Sequence, residues 1–191
     1  MIAAFVVAVV TLLAVPGPTN TLLAASGAAV GFQRSLRLII GETMGYLVAI
    51  VVLMQILAPF VAATPAGPIV AKAFASVVLI LLAIRLWWRA DAEMTVVSGP
   101  ISIGQVFVTT LFNPKALIFA FVIFPRTNLH DLVRFFALFA ILVIGIGCAW
   151  IGLGRAIGSS AGRLATQSLI ARGAAVALTV FAALIAGSAM S

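Results

Sequence analysis

The sequence has few of the charged side chains that keep a globular protein in solution. Only 8% of its 191 residues are charged and just four are acidic, whereas 64% are apolar. A soluble domain has about 25% charged residues, and a chain of this length buries only about 70% of its surface on folding in water. The composition therefore excludes an ordinary soluble fold and predicts an integral membrane protein with the lipid bilayer as its partner.

Cysteine and histidine are also too scarce for the common catalytic and metal-binding arrangements. The one cysteine, Cys148, lies in an apolar run and can form no intrachain disulfide. A zinc site needs three or four ligands, but the one histidine, His130, lies in a predicted loop beside Asp131. We predict no enzyme, no catalytic residue, no bound metal and no cofactor.

Basic residues give the chain a net charge of +7, which raises the question of nucleic-acid binding. Nucleic-acid binding needs Lys and Arg clustered on one face, whereas here they stand singly between apolar runs. This pattern is typical of charges in the loops of a membrane protein, so we predict no nucleic-acid partner.

Six apolar runs exceed the length of about 20 residues that crosses a bilayer as a helix. They are 2–31, 38–63, 66–88, 101–125, 132–153 and 168–190. The runs are apolar on all sides, whereas membrane strands alternate apolar and polar residues. We therefore predict an all-α protein with about six transmembrane helices in a single domain, 1–191. No Lys or Arg precedes the first run, so we expect a retained helix and not a cleaved signal peptide.

The loop charges predict an orientation for these spans. Seven arginines lie on the side reached after spans one, three and five, namely Arg34, Arg37, Arg85, Arg89, Arg155, Arg163 and Arg172. The opposite side has three basic residues, Lys72, Arg126 and Arg134. Because Lys and Arg favour the cytoplasmic side, both termini are expected outside.

Proline interrupts two of the six runs near their middle. The interruptions are Pro16-Gly17-Pro18-Thr19-Asn20 in the first run and Asn113-Pro114-Lys115 in the fourth. A proline breaks or kinks a membrane helix, and the backbone groups that it frees are tolerated where they face a cavity. Because the breaks are three spans apart, we predict two inverted three-helix repeats, about 1–90 and about 100–191. Matched breaks of this kind indicate the binding site of a transporter, although membrane prolines can also simply kink a helix.

Polar side chains near the breaks predict how a substrate binds. Lys115 lies near the middle of its span, where a charge is costly and functional by default. Glu42, if it faces the cavity and not the interface, binds a substrate ammonium or carries a coupling proton, and Tyr46 lies one turn further along the same face. Half-helix N-termini with positive dipole ends suit a carboxylate. The predicted substrate-binding residues are Pro16, Gly17, Pro18, Asn20, Glu42, Tyr46, Asn113, Pro114 and Lys115.

The Pro-Gly-Pro-Thr-Asn at 16–20, the glycine-rich start of the second span and the Asn-Pro-Lys-Ala at 113–116 resemble the LysE and RhtB group of amino-acid exporters. The resemblance covers nearly the whole chain in length, span number and motif order. It implies efflux of amino acids or related small metabolites across a bacterial inner membrane, driven by protons or membrane potential. Two departures, Thr19 between Pro18 and Asn20 and the acidic Glu42, indicate a distinct subgroup.

Other interpretations stay open at this stage. A metal-ion carrier would need clustered oxygen ligands, and the four acidic residues are spread along the sequence. A scaffold without transport activity would have no use for the charge in the fourth span. Gly27-x-x-x-Gly31 and Gly41-x-x-x-Gly45 predict close helix packing and allow a homodimer, although glycine is also simply common in membrane helices.

Overall fold

The computed structural model describes residues 2–57, 67–88 and 101–158, with single residues at 59, 63 and 66 and short groups between 172 and 187. Every regular element in these ranges is helical, which confirms the predicted all-α class for the part of the chain described. The helices are α1 (Ile2–Ala14), α2 (Pro18–Val30), α3 (Phe32–Ser35), α4 (Leu38–Val52), α5 (Gly67–Trp88), α6 (Ile103–Leu111), α7 (Lys115–Ile118) and α8 (Leu129–Gly158). Leu53–Leu57 and Phe119–Ile123 form π-helical turns that continue α4 and α7.

Two helical stretches, Phe32–Ile56 and Leu129–Ile157, are long and apolar enough to cross a membrane. The number rises to four if each of two bent helix pairs counts as one span, α1 with α2 and α6 with the stretch from Lys115 to Ile123. These stretches coincide with the predicted spans one, two, four and five, and α5 coincides with the third. The predicted span 168–190 and the loop 89–100 lie outside the continuously described residues.

Helix α8 is longer than the predicted span 132–153 at both ends. It begins earlier because the Asn128 side chain accepts a hydrogen bond from the Asp131 amide at 2.9 Å, as an N-cap does. His130 and Asp131 therefore lie in an exposed first helical turn and not in a loop. The helix continues to Gly158 because residues beyond 153 still pack on a neighbour: Gly154 lies directly against the backbone of Ala24 in α2.

The distribution of polar groups is the reverse of that in a soluble protein. Large apolar side chains are exposed along the outside of the helices, for example Val7 (65%), Leu81 (60%) and Ile141 (65%). Polar and charged side chains are buried instead, namely Thr19, Asn20, Ser26, Ser35, Glu42, Ser76, Thr110, Asn113 and Lys115. Lipid favours apolar side chains on the outside and disfavours polar ones there, so the described helices have the surface of a membrane protein.

Glycines bring two pairs of helices into backbone contact. A Cβ atom at Gly27 of α2 would overlap the carbonyl of Ile151 in α8, and one at Gly154 would overlap the carbonyl of Ala24. Between α4 and α6, a Cβ at Gly41 would lie 2.5 Å from the carbonyl of Ile103. Small residues at such crossings let helices approach closely in lipid, so α2 packs on α8 and α4 packs on α6.

The close helix packing predicted for the two glycine motifs is present at one motif and only half present at the other. Gly41 and Gly45 both face α6, where a Cβ at Gly45 would lie 2.8 Å from the carbonyl of Phe107. In the other motif Gly27 packs as predicted, but the packing predicted for Gly31 is wrong because no atom lies within 4 Å of its Cβ position. Gly31 instead has a φ of 85° and forms the turn between α2 and α3.

We expect Gly154→Ala to destabilise the purified protein by about 1–3 kcal/mol or more, because the added methyl group must separate two backbones in contact. Gly145→Ala on the same helix is the matched control, since nothing lies within 4 Å of its Cβ position. The melting temperature in detergent measures both. Equal melting temperatures for the two variants would show that this crossing does not hold the helices together.

Candidate functional site

Both proline motifs break their helices. Helix α1 ends at Ala14 and α2 begins at Pro18, with a bend of 62° between them. Helix α6 ends at Leu111 and α7 begins at Lys115, with a bend of 54°. Pro18 takes the first position of α2, where the missing N–H of proline costs no hydrogen bond. The broken helices predicted at both motifs are therefore present.

Asn20 satisfies the backbone of the first break from within. Its side-chain amide donates to the carbonyls of Leu13 and Val15, both at 2.7 Å. These carbonyls lie where proline interrupts the helical ladder, and a buried carbonyl without a donor costs about 1–3 kcal/mol. Asn20 is 1% exposed, so water cannot replace it. Its first role is to hold the break in its bent form.

Lys115 brings the two breaks together. It begins α7 at the second break, and its ammonium donates to the carbonyl of Val15 at the first. A Cβ at Gly17 would lie 3.2 Å from Lys115 Cε and 3.3 Å from Nζ, so a larger residue there would crowd the ammonium. Lys115 is 2% exposed, which excludes the alternative that its side chain extends to the membrane surface.

Asn113 connects the second break to α2 and α4. Its side-chain oxygen accepts from the backbone amide of Lys115 at 3.0 Å. Its amide nitrogen donates to Thr19 Oγ1 at 3.1 Å and to the Tyr46 hydroxyl at 3.3 Å. One side chain therefore joins three helices.

A threonine pair completes this network. Thr110 Oγ1 donates to the Val106 carbonyl at 2.8 Å, so its 3.0 Å contact with Thr19 Oγ1 is donated by Thr19. The sequence reasoning treated Thr19 only as a departure from a motif and missed Thr110. The spacing held a signal, because Thr110 lies three residues before Asn113, where helical side chains share a face.

Tyr46 combines packing with polar contact. It is fully buried, and its ring packs edge-on against Phe119 and Phe139, with centroids 5.5 and 6.0 Å away. Its hydroxyl accepts the hydrogen bond from Asn113. Tyr46 is thus an aromatic anchor whose polar end reaches the breaks.

Glu42 is buried among the helices and not at an interface, with 1% of its surface exposed. Its Oε2 atom has no hydrogen-bond partner, and neither has Thr43 Oγ1 beside it. Lys115 interacts with it electrostatically, but no ion pair within 4 Å joins these two described residues. Glu42 and Lys115 are therefore two buried ionisable groups without direct contact.

The structure brings most of the predicted residues to one place. Gly17, Asn20, Lys115, Asn113 and Tyr46 form a continuous set of contacts around the two breaks. Pro16 and Pro114 are half-buried, and Pro18 is exposed at the start of α2. Whether these residues bind a substrate stays a prediction. Among the described residues, no group of three or more His, Cys, Asp or Glu is placed to hold a metal ion.

Comparison with known proteins identifies a family. A family model described as LysE type translocator matches residues 10–189, a range that includes both breaks and the buried charges. Searches of curated proteins and of solved structures return no match to this chain.

We expect Asn20→Ala to destabilise the purified protein by about 1–3 kcal/mol, because the Leu13 carbonyl loses its donor and the Val15 carbonyl keeps only Lys115. Thr21→Val is the matched control: it removes a bond to the Gly17 carbonyl, which keeps the Thr21 amide at 2.9 Å. Thermal unfolding measures the difference. A loss in Thr21→Val as large as that in Asn20→Ala would contradict the role assigned to Asn20.

Proposed function

Because the chain belongs to the LysE type translocator family, we propose that it is a secondary transporter that exports amino acids or related small metabolites across the bacterial inner membrane. The observation that carries the proposal is the meeting of two broken helices at one buried, charged place. Interrupted helices in corresponding positions of two halves are typical of transporter binding sites. The substrate is thus a small molecule that meets protein backbone and a buried cation within the membrane.

The substrate carboxylate is assigned to Lys115 and to the start of α2. An ammonium has three N–H donors, and the contact with the Val15 carbonyl uses one of them. Gly17 precedes α2 in an extended conformation, and no side chain caps the helix. Free amides and the positive end of the helix dipole at this point favour an anion. A cation and a helix start therefore converge at one place, which is the combination that a carboxylate needs.

The proposed architecture has six transmembrane helices in a single domain, arranged as two inverted three-helix repeats of about 1–90 and 100–191. The breaks at 16–20 and 113–115 then occupy equivalent positions, and alternating access moves one repeat against the other. The bend angles of 62° and 54° support this correspondence. A homodimer through small-residue faces is compatible with this arrangement and not required by it.

Export is tested in bacterial cells that express the chain and are loaded with amino acids through dipeptides, with mass spectrometry of each released amino acid. We expect faster release of one or a few amino acids. Lys115→Ala should abolish the gain because it removes the buried cation, whereas Arg126→Ala, which removes an exposed positive charge, should keep it. Release at the level of empty cells across all amino acids would refute amino-acid export.

The inverted repeat is tested with single cysteines in a Cys148→Ser background. Residues 33 and 130 are both exposed. Residue 33 follows the first predicted span and residue 130 follows the fourth, so Gln33→Cys and His130→Cys should react with a membrane-impermeant maleimide from opposite sides. The reason is that three crossings, an odd number, separate the two positions. Labelling of both from the same side would exclude the proposed repeat.

A further inference from the structure

Glu42 occupies a slot that exists because residue 147 of α8 is glycine. A Cβ atom at Gly147 would lie 2.6 Å from Glu42 Oε2, closer than atoms can approach without one of them moving. The same Cβ position lies 3.5 Å from Leu23 of α2 and 3.6 Å from Ile39 of α4, both at carbon atoms. The carboxyl oxygen thus points into a small space with apolar walls.

Few charged or titratable groups face this carboxyl among the described residues. Helix α4 itself contributes Tyr46, one turn further on, and α7 contributes Lys115, which interacts with Glu42 without an ion pair. The walls from α2 and α8 are Leu23 and Gly147, which have no charge. Lys115 is itself held by the carbonyl of Val15.

The chemistry of the slot limits what the carboxyl can bind. A bound ammonium brings three N–H donors that need acceptors, and a calcium ion takes about six or more oxygen ligands. Oε2 has no hydrogen-bond partner, and the space beside it, at the Cβ position of Gly147, is lined by carbon atoms of Leu23 and Ile39. An ionised carboxylate left in this way would have lost its hydration without gaining a partner. A proton is different, because it binds to the carboxyl oxygen alone and removes the charge.

We propose that Glu42 is the proton-binding site of this carrier, in the slot left by Gly147, and that it does not hold the amine of the substrate. The proposal rests on the transport function proposed above. One proton binds the carboxyl from one side of the membrane and leaves to the other while substrate moves in the opposite direction. Loss of the proton creates a carboxylate that attracts Lys115 and so competes with the Val15 carbonyl that joins the two breaks.

The first test detects the proton directly and needs no substrate. Infrared spectra of the purified full-length protein in lipid nanodiscs are recorded as the pH is raised, with the proton as the only probe. We expect a carboxylic-acid C=O band that disappears on titration and is missing in Glu42→Gln, which keeps the size of the side chain. Spectra and titrations that are identical for wild type and Glu42→Gln would overturn the proposal.

The slot is tested by a pair of glycine variants on one helix. Gly147→Ala should shift or abolish the carboxylic-acid band, because the new methyl group displaces the Glu42 carboxyl. Gly145→Ala, whose Cβ has open space around it, should leave the band unchanged. An unchanged band in Gly147→Ala, with the protein folded by size-exclusion chromatography, would show that the carboxyl does not use this slot.

The coupling is tested in proteoliposomes with the amino acid that the cells release. An inward proton gradient should stimulate export by wild type and Gly145→Ala, whereas Glu42→Gln should keep exchange of labelled for unlabelled amino acid and lose the stimulation. Two results would overturn the proposal that Glu42 binds the proton and not the substrate amine. One is equal stimulation of export in Glu42→Gln and wild type, and the other is loss of both stimulation and exchange in Glu42→Gln. If wild type moves none of the amino acids, the transport function fails, and the infrared titration still decides whether Glu42 binds a proton.

Discussion

The hydrogen bond from the Lys115 ammonium to the Val15 carbonyl joins the two interrupted spans, and the arrangement of the site depends on it. Each proline break frees backbone groups at a depth where lipid offers no hydrogen bonds. Asn20 supplies donors within the first break, but Lys115 reaches there from the second. A buried ammonium is therefore placed where the interrupted backbone needs a donor. This single contact serves the fold and fixes the position of the cation to which we propose that the substrate carboxylate binds.

Glycine contacts set the framework in which that bond forms. Gly27 and Gly154 bring α2 onto α8, while Gly41 and Gly45 bring α4 onto α6. The network of Thr19, Thr110 and Asn113 then runs between these pairs, because α2 belongs to one pair and α6 to the other. The slot at Gly147 has the same cause, because the missing side chain leaves room for the carboxyl of Glu42. Close packing and buried polarity are thus two results of the same glycines.

The buried polar groups of the site divide into those that have hydrogen-bond partners and those that have none. Asn20, Asn113 and Lys115 all have partners within the protein, so their burial is compensated and they hold the breaks in place. Glu42 Oε2 has none. A buried oxygen without a partner is costly, and this is the observation on which the proposed role of Glu42 in proton binding rests.

The sequence by itself determined that the chain belongs in a membrane, that its described part is helical and where two helices break. These properties follow from local composition and from proline, which acts on its own turn. It did not determine that Lys115 bonds across to the first break, that Thr110 joins the network or that Gly147, unlike Gly145, faces a carboxylate. Such contacts depend on the rotation and crossing of helices distant in sequence. The tertiary structure alone decided them, because helical periodicity fixes which residues share a face but not which face a neighbour covers.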